Sequence, residues 1–321
     1  MKNFLSRIVL LFFLINSTLL FNAGLAVAQN VASDTLNKSS VICFISDTQE
    51  PMVVERIIHK YNNNSTAREM LFDKILQISP EAVFHLGDIV AAGTKKSAWK
   101  VIDNFTGELK SKGIQFYPIP GNHEYLMSAK SGIKNFTVRY PYAVKTGYLE
   151  KVQNTAVILL NSNFKKLTDA EFRQQLTWYK ETLKDLESDE SVDFIIVGCH
   201  HSPFTNSKAI TPSEDVQKYF LPDFYSTAKC RLFISGHAHA FEHFKMKGKD
   251  FLVIGGGGGI QQKLLAGKKE RYKDLFDDKS EKRMFHFIKL DINGNEITVT
   301  LEMLNKDMTG IDSSYIINIR K

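Results

Sequence analysis

The segment QFYPIPGNHE, residues 115–124, decides the fold, because a short apolar run leads directly into side chains that can bind metal ions. Its first half predicts a buried strand over residues 115–119. The strand is followed by GNHE, which places an amide, an imidazole and a carboxylate directly after it. In an open α/β sheet, ligands bind at the carboxyl ends of the strands. The segment therefore predicts a functional loop at the edge of a sheet.

The same arrangement recurs outward from GNHE, since other short apolar runs also end in acidic, amide or imidazole side chains. The other strands predicted in the first two-thirds of the chain cover residues 41–46, 82–86, 155–161, 194–199 and 231–235. Four of them end in DTQ at 47–49, GD at 87–88, HHSP at 200–203 and GHAH at 236–239. Carboxylate oxygen, amide oxygen and imidazole nitrogen together suit divalent ions such as Zn, Mn, Fe or Mg. We therefore predict a site for two metal ions.

The spacing of apolar residues between these strands predicts helices, so the first two-thirds of the chain reads as an α/β protein. The predicted helices cover residues 67–78, 95–111, 168–186 and 213–220. Thr168 and Glu171 form a capping-box pattern at the start of one of them.

Beyond residue 235 the pattern changes to consecutive strands without helices between them. They are predicted at residues 240–247, 250–254, 283–292, 296–304 and 314–319. Asn293-Gly294 is a hairpin-turn signal between two of them. We expect this C-terminal third to be mostly antiparallel and to supply a second sheet to the same core.

These strings resemble the signature of the calcineurin-like metallophosphoesterase superfamily, which is D-x-H, G-D, G-N-H-[DE], a histidine after a strand and G-H-x-H. The resemblance extends from about residue 40 to residue 259. Within it, HSPFTNS at 201–207 and GHAHAFEH at 236–243 look most like purple-acid-phosphatase-type members. The resemblance implies a four-layered α/β/β/α sandwich, in which two mixed sheets are flanked by helices.

The resemblance also implies a ligand set for two divalent ions, whose identity (Mn, Zn, Fe or Mg) it leaves open. The implied ligands are Asp47, Gln49 and His239 for one ion, Asn122, His201 and His237 for the other, and Asp88 as the bridge between them. His200 is the alternative to His201, because the choice rests only on the H-x-P spacing before Pro203. His123 is implied as the general acid or charge stabiliser beside the leaving oxygen, and Asp88 as the second catalytic residue.

Two positions depart from the family pattern. Gln49 stands where the family usually has histidine, and its amide oxygen is a weaker donor than imidazole. Ala91, three residues after Asp88, stands where purple acid phosphatases have an iron-binding tyrosine. A tyrosinate–iron chromophore is therefore not expected.

The function implied by the resemblance is hydrolysis of a small phosphate monoester or diester through attack of a hydroxide that bridges the two ions. The alternative is an exported metal-dependent binding protein with a weakened or inactive phosphoesterase site, and Gln49 is its motivation. Substrate choice would depend on loops such as residues 125–148 and 268–283.

The N-terminus has the pattern of an export signal. Lys2 and Arg7 precede an apolar run over residues 8–21, and Ala-Val-Ala at 26–28 fits a cleavage site. A membrane anchor is the alternative, but polar residues at 16–18 interrupt the run. We predict a signal peptide over residues 1–28 that is cut after Ala28, a linker over 29–39, and a metallophosphoesterase domain over 40–321. The mature protein would be secreted or periplasmic, without a stable membrane anchor.

Composition supports a folded globular protein, since 43% of the 321 residues are hydrophobic and 24% are charged. Removing Lys2 and Arg7 with the signal lowers the formal net charge from +6 to +4. The positive residues form no stripe along the chain, so a nucleic-acid partner is not indicated. Three cysteines, at 43, 199 and 230, lie in or beside predicted strands, which favours small buried residues over a disulfide framework.

Overall fold

The structure is a computed structural model that describes residues 39–52, 55, 63–143 and 146–321. The predicted signal peptide, residues 1–28, lies outside the described residues, and so does the predicted linker except for Ser39. Residues Ser40–Lys321 form one compact unit. Across the ranges that are described, no helix has both the length and the apolar character needed to cross a bilayer.

Strands and helices alternate through the first two-thirds of this unit, as the sequence pattern predicts. The strands in the described residues are β1 (Ser40–Ile45), β2 (Ala82–His85), β3 (Gln115–Pro118), β4 (Tyr148–Val152), β5 (Thr155–Leu160), β6 (Phe194–Cys199), β7 (Cys230–Ser235), β8 (Phe241–Met246), β9 (Lys249–Ile254), β10 (His286–Asn293), β11 (Glu296–Leu304), β12 (Ile311–Asp312) and β13 (Ile316–Arg320). The α-helices are α1 (Asn64–Ile78), α2 (Lys100–Ser111), α3 (Ala129–Arg139), α4 (Asp169–Ser188), α5 (Glu214–Tyr219) and α6 (Leu221–Ser226).

The strands form two mixed sheets. The first sheet has the order β12-β11-β10-β1-β2-β3, and β13 also pairs with β11. Here β1, β2 and β3 are parallel, whereas β10 runs antiparallel to β1. The second sheet has the order β4-β5-β6-β7-β9-β8, with β5, β6, β7 and β9 parallel.

The two sheets are covered on both faces by apolar side chains, as β5 shows. Val157 and Leu159 join the core that contains the first sheet, while Ala156, Ile158 and Leu160 face the core that is shared with α4. Successive side chains of a strand point to opposite faces, so β5 contributes to two layers at once. Helices α1 and α2 pack their apolar residues into the core of the first sheet. The predicted α/β/β/α sandwich is therefore confirmed.

The C-terminal third does not form a separate second sheet, so that expectation is wrong. Strands β10 and β11 join the first sheet beside β1, whereas β8 and β9 extend the second sheet beyond β7. Antiparallel hairpins can add to either sheet, and the sequence pattern does not indicate which sheet receives them. The β10–β11 hairpin is confirmed, but its turn is Gly294-Asn295, one residue later than predicted.

The segment predicted as a loop over residues 125–148 contains helix α3 and reaches the start of β4. Helix α3 contains Gly132, Asn135 and Thr137, which are weak helix formers, so its sequence gave little signal. It is held by packing of Ile133 and Phe136, which are buried one turn apart.

Two other local expectations are confirmed. The capping box at the start of α4 is present, with both reciprocal hydrogen bonds between Thr168 and Glu171. The three cysteines are buried and free. Burial raises the pKa of each thiol, which fits small core residues better than reactive thiols.

Candidate metal centre

The loops that follow β1, β2 and β3 in the first sheet meet the loops that follow β6 and β7 in the second. Main-chain hydrogen bonds join the loops within the first sheet, with the Asp47 amide donating to Gly87 O at 3.0 Å. Side chains join one sheet to the other, since the His237 amide donates to Asp47 Oδ2 at 2.9 Å. All the residues predicted for the site therefore lie in one place, between the ends of the two sheets.

Three of these residues have a left-handed backbone, which is uncommon outside glycine. Their φ angles are 58° for Asp47, 52° for Asp88 and 66° for His237. Backbone strain of this kind persists only where the surrounding structure holds it, and it concentrates at functional sites. Nothing in the residue types alone predicts it.

Glycines let the loops approach each other closely. A Cβ atom at Gly121 would overlap the main-chain N and Oδ1 of Asp88, and one at Gly236 would overlap Ser46 Oγ. The glycine run at 255–259 lies along the loop after β1, where Gly257 and Gly259 donate to the carbonyls of Ser46 and Asp47. The run thus permits close approach of backbone to the site.

The first group of polar side chains contains Asp47, Gln49 and His239. His239 Nδ1 donates to Ile260 O at 2.8 Å, so its Nε2 is left facing Asp47 Oδ1 at 3.3 Å. Asp47 Oδ1 is buried and has no hydrogen-bond partner. An orphaned carboxylate oxygen costs free energy unless a cation or a donor reaches it.

Gln49 completes this group through its side-chain amide. The amide is best satisfied when its NH₂ donates to the main-chain carbonyls of Asp47 and Asp88, at 3.0 and 2.9 Å. In that orientation the amide oxygen lies 3.2 Å from His239 Nε2. A carboxylate oxygen, an amide oxygen and an imidazole nitrogen therefore converge.

The second group contains Asp88, Asn122, His200 and His237. His200 Nδ1 donates to Leu86 O at 2.9 Å, which leaves Nε2 3.0 Å from Asn122 Oδ1 and 3.4 Å from Asp88 Oδ2. The ring of His237 lies beside that of His200, with 5.0 Å between the centroids. An imidazole that donates one N–H to a carbonyl and turns the other nitrogen inward has the arrangement usual for a metal-binding histidine.

Asp88 connects the two groups. Ligand atoms of Asp47, Asp88 and His200 all lie within 4.8 Å of one another, and so do those of His200, His201 and His237. The geometry thus fits a carboxylate shared between two ions, although the role of each ligand stays a prediction.

Both adjacent histidines reach the site, and the ring of His201 lies 4.6 Å from that of His237. His200 faces Asp88 and Asn122, whereas His201 is turned toward the loop after β5, with Nδ1 2.8 Å from Ser162 Oγ. Because consecutive residues leave a strand in different directions, the H-x-P spacing could not distinguish them. The choice between the two histidines as the ligand therefore stays a prediction.

His123 lies at the border of the site. Its Nδ1 donates to Ala91 O at 2.8 Å and its main-chain amide donates to Asp88 Oδ1 at 2.8 Å. The remaining ring nitrogen, Nε2, is 3.7 Å from Asp88 Oδ2. The ring is therefore held with one nitrogen directed at the Asp88 carboxylate.

The histidines and carboxylates of the site shift one another's pKa values. Burial alone would raise the pKa of Asp88, but the His200 and His123 imidazoles and a hydrogen bond from His200 hold it well below its ordinary value. Burial opposes a charge on His200, but Asp88 outweighs it and raises the pKa of His200 to about 9. Burial, followed by the neighbouring His200, lowers the pKa of His201 to about 3.

Two functional contacts were not predicted from sequence. Glu124, the last residue of GNHE, accepts hydrogen bonds from the amides of Asp88, Ile89, Val90 and Gly121, at 2.9, 2.9, 3.2 and 2.7 Å. It therefore holds the loops after β2 and β3 together rather than binding an ion. Ser162 supports His201, and the polar triplet Asn-Ser-Asn at 161–163 was the available signal.

The residues present fit divalent ions. The donor set consists of carboxylate and amide oxygens and imidazole nitrogens, which suits Zn, Mn, Fe or Mg. Asp47 Oδ1 is buried without a hydrogen-bond partner, which leaves one acceptor of this set free to bind a cation. Such a set is stable when a cation lies among its members.

The fold and the site together define a metal-binding α/β/β/α sandwich. Residues 40–241 match the model of the calcineurin-like phosphoesterase family, so the chain belongs to that family. No curated protein sequence is significantly similar to the chain.

Three solved structures show the same fold. The purple acid phosphatase PPD1 from yellow lupin (Lupinus luteus) is 15% identical, with a TM-score of 0.64, and the match covers 88% of this chain and 54% of the lupin chain. GAP50, described as the anchor in the inner membrane complex of Plasmodium, is 15% identical with a TM-score of 0.67, over 88% of this chain and 89% of that one. A dimetal phosphatase from Danio rerio is 14% identical with a TM-score of 0.53, over 88% and 98%. This chain therefore spans about half the length of the lupin enzyme.

Proposed function

We propose that this protein is an exported phosphoesterase that hydrolyses phosphate monoesters or diesters with the help of two divalent ions. The observation that carries the proposal is the convergence of acceptor atoms around Asp88, with the Nε2 atoms of His200 and His239 turned toward carboxylate and amide oxygens. Membership of the calcineurin-like phosphoesterase family supports the reaction class.

Two ions would be held by separate sets of ligands, with Asp88 placed to reach both. We assign Asp47, Gln49 and His239 to one ion and Asn122, His200 and His237 to the other. When bound, the pair supplies Lewis-acid stabilisation of the phosphoryl oxygens and lowers the pKa of water. Because these side chains come from loops of both sheets, the protein's contribution is to hold them in place before substrate arrives.

His123 is the residue placed to assist departure of the leaving group. Its Nδ1–H is held by Ala91 O, so Nε2 is the nitrogen available to the site. A protonated Nε2 within reach of the ester oxygen would transfer its proton as that oxygen leaves, which is general acid catalysis. The side chain is 14% exposed, so it lies at the edge of the site rather than inside the core.

The proposal is tested with purified protein, supplied with Mn²⁺ or Zn²⁺ and given p-nitrophenyl phosphate or its bis-ester. We expect turnover that is abolished by a chelator and by Asp88→Asn, because the bridge between the two groups is then lost. Asp185→Asn, on the exposed face of α4, is the matched control and should retain activity. Metal content measured on the same samples distinguishes loss of ions from loss of chemistry. Absence of turnover of either ester by the metal-loaded parent would refute the proposal.

The same assay decides the second candidate, an exported metal-dependent binding protein. Gln49 motivates it, because an amide oxygen is a weaker donor than the histidine usual in the family. A parent protein that binds two ions and hydrolyses neither ester would support the binding role.

Export is proposed from the N-terminal sequence pattern alone. Cleavage after Ala28 would leave Gln29 as the first residue of the mature chain. Mass spectrometry of the protein recovered outside the cytoplasm checks this, and an intact N-terminus at Met1 would contradict it.

A further inference from the structure

A small cavity opens beside the second group of ligands and extends beyond it to residues that are not predicted to bind metal. It has a volume of about 270 Å³. Its lining includes Asn122, His201, Ser162 and Phe164, together with the exposed Lys165 and Lys166. We call it the lysine cavity. Because Asn122 also faces His200, this space adjoins the position where a bound phosphoryl group would react.

The loop that forms the lysine cavity is tied to the metal-site loops. Asn163 Nδ2 donates to Pro120 O at 2.9 Å, next to the GNHE string, and the His201 amide donates to Ser162 Oγ at 2.9 Å. The turn Phe164–Lys166 is closed by the Lys166 amide, which donates to Asn163 O at 2.8 Å. The backbone of Lys165 and Lys166 is therefore anchored by hydrogen bonds to the loops that form the metal site.

The lysine cavity has a positive and partly apolar lining. Lys165 and Lys166 are exposed, and neither forms an ion pair with any described residue. Asp215 is the one carboxylate among the residues that line the cavity, so the lining carries a net charge of +1 from two lysines and one aspartate. Phe164 is half-buried and packs on Tyr219 and Phe220, with ring centroids 5.5 and 5.1 Å apart.

The size of the lysine cavity limits what it can hold. Ligand pockets for drug-sized molecules usually range from about 300 to 1,000 Å³. A space slightly below that range suits one ring or a short chain of similar size. The ammonium groups of the two lining lysines suit an anionic substituent on such a group.

We propose that the lysine cavity receives the leaving group of the phosphoester, and that the preferred substrates carry a second anionic group that Lys165 and Lys166 bind. This inference rests on the proposed phosphoesterase function and names a substrate class for it. Lys165 and Lys166 are then specificity-determining residues that do not contact the reacting atoms. Phe164 would support the body of the leaving group.

Binding of inert analogues provides a test that does not require turnover. The probes are benzylphosphonate and 4-carboxybenzylphosphonate, which differ only in a carboxylate that is too far from the phosphonate to share its ion. We expect the metal-loaded parent to bind the carboxylate-bearing probe about fivefold more tightly, as two exposed ion pairs would allow. In Lys165→Gln/Lys166→Gln this preference should disappear. Lys180→Gln/Lys184→Gln, an equal charge change on the exposed side of α4, should retain it.

Kinetics with phenyl phosphate and 4-carboxyphenyl phosphate provide the second measurement. We expect Lys165→Gln/Lys166→Gln to raise KM about fivefold for the carboxylated ester only, with kcat changed less than KM. Because each variant is compared with the parent on the same ester, the different acidities of the two phenols cancel.

The outcomes separate the inference from the proposed function. Equal affinity of the parent for both phosphonates would overturn the inference. An equal loss of affinity for both phosphonates in Lys165→Gln/Lys166→Gln would also overturn it, since the lysines would then bind the phosphoryl group itself. If the parent turns over neither ester but the phosphonate preference depends on the lysines, the phosphoesterase proposal fails and the anion-binding role of the lysine cavity stands.

Discussion

Glu124 shows how one buried carboxylate organises the site without binding an ion. Its two oxygens accept four main-chain hydrogen bonds from the loops after β2 and β3, including the amide of Asp88 itself. The side chain is fully buried, and burial followed by repulsion from Asp88 raises the pKa of Glu124 to about 7. The backbone at Asp88 therefore depends on an acceptor at this position.

We predict that Glu124→Gln lowers both stability and metal affinity. A glutamine amide has one acceptor oxygen, so its NH₂ would face buried N–H donors. Each buried donor left without a partner costs about 1–3 kcal/mol, and we expect a loss of about 2–4 kcal/mol in the free energy of unfolding. Denaturant unfolding with a chelator present measures the first effect, and calorimetric metal titration measures the second.

Glu181→Gln, on the exposed side of α4, is the matched control and should change neither quantity. Unchanged stability of Glu124→Gln, together with unchanged metal affinity, would show that the loops do not depend on this carboxylate.

At the scale of residues, motif strings could identify the members of the site but not their orientations. GNHE and GHAH were sufficient to select Asn122 and His237, and the structure places both beside Asp88 and its neighbours. Adjacent histidines at 200 and 201 offered the same chemistry, and only the fold shows that His200 is the one 3.4 Å from Asp88 Oδ2. The left-handed backbones of Asp47 and Asp88 depend on contacts between loops that are distant in sequence.

At the scale of elements, the site depends on how closely the loops after parallel strands β2 and β3 can pack. Gly121 begins the GNHE string, and any Cβ atom there would overlap Asp88 N and Oδ1. Moving Asp88 away would separate it from His200 Nε2, which is 3.4 Å from Asp88 Oδ2. The absence of a side chain at residue 121 is therefore a requirement of the bridge between the two ligand groups.

We predict that Gly121→Ala destabilises the protein and weakens metal binding. Overpacking of a tight site costs about 1–3 kcal/mol, and the displaced carboxylate should reduce affinity for the ions. Thermal unfolding and metal titration of the same sample measure the two effects.

Gly107→Ala is the control, and its expected change in stability has the opposite sign. This glycine lies within α2, and an added Cβ would meet nothing within 4 Å. We expect it to stabilise the protein by about 0.5–1 kcal/mol, because alanine is the better helix former. If Gly121→Ala behaved like Gly107→Ala, close packing of the two loops would not be required.

Strands and helices were predicted correctly where hydrophobic periodicity is strong, and were missed where tertiary contacts stabilise an element whose sequence pattern is weak. Strands Phe194–Cys199 and Glu296–Leu304 occur at their predicted bounds, because each is a run rich in Val, Ile, Leu or Thr. Helix α3 and the short strand β4 were missed, because β4 depends on pairing with β5 and α3 is joined to α2 by the Arg139–Asp103 ion pair rather than by a strong local pattern.

At the scale of the whole molecule, the candidate site lies where the two sheets end together. Asp47, Asp88 and Asn122 follow strands of the first sheet, whereas His200, His237 and His239 follow strands of the second. The sequence predicted that strand ends would converge, but not that β8 and β9 would be divided from β10 and β11 between the sheets. That division depends on pairing across more than a hundred residues, as β1 with β10 shows.

Ions held by both sheets should stabilise the molecule globally, because they bind the folded arrangement and not the separated loops. At a free ion concentration 100 times Kd, binding contributes about 2.7 kcal/mol. For a domain of this size that corresponds to a rise in Tm of roughly 5–10 °C over a chelated sample. We expect scanning calorimetry to show one transition that shifts as a whole, since the ligands are divided between the two sheets.

The metal-dependent part of this rise should disappear in His200→Ala, which removes the imidazole facing Asp88 and Asn122. His243→Ala is the matched control, because His243 is also buried but bonds Asp250 and Tyr315, away from the ligand groups. With chelator present, His243→Ala should have a lower Tm than the parent, but metal should still raise its Tm by the same amount. If His200→Ala kept the full metal-dependent rise in Tm, His200 would not be a ligand. If two transitions were resolved and only one of them shifted with metal, the ions would not join the two sheets.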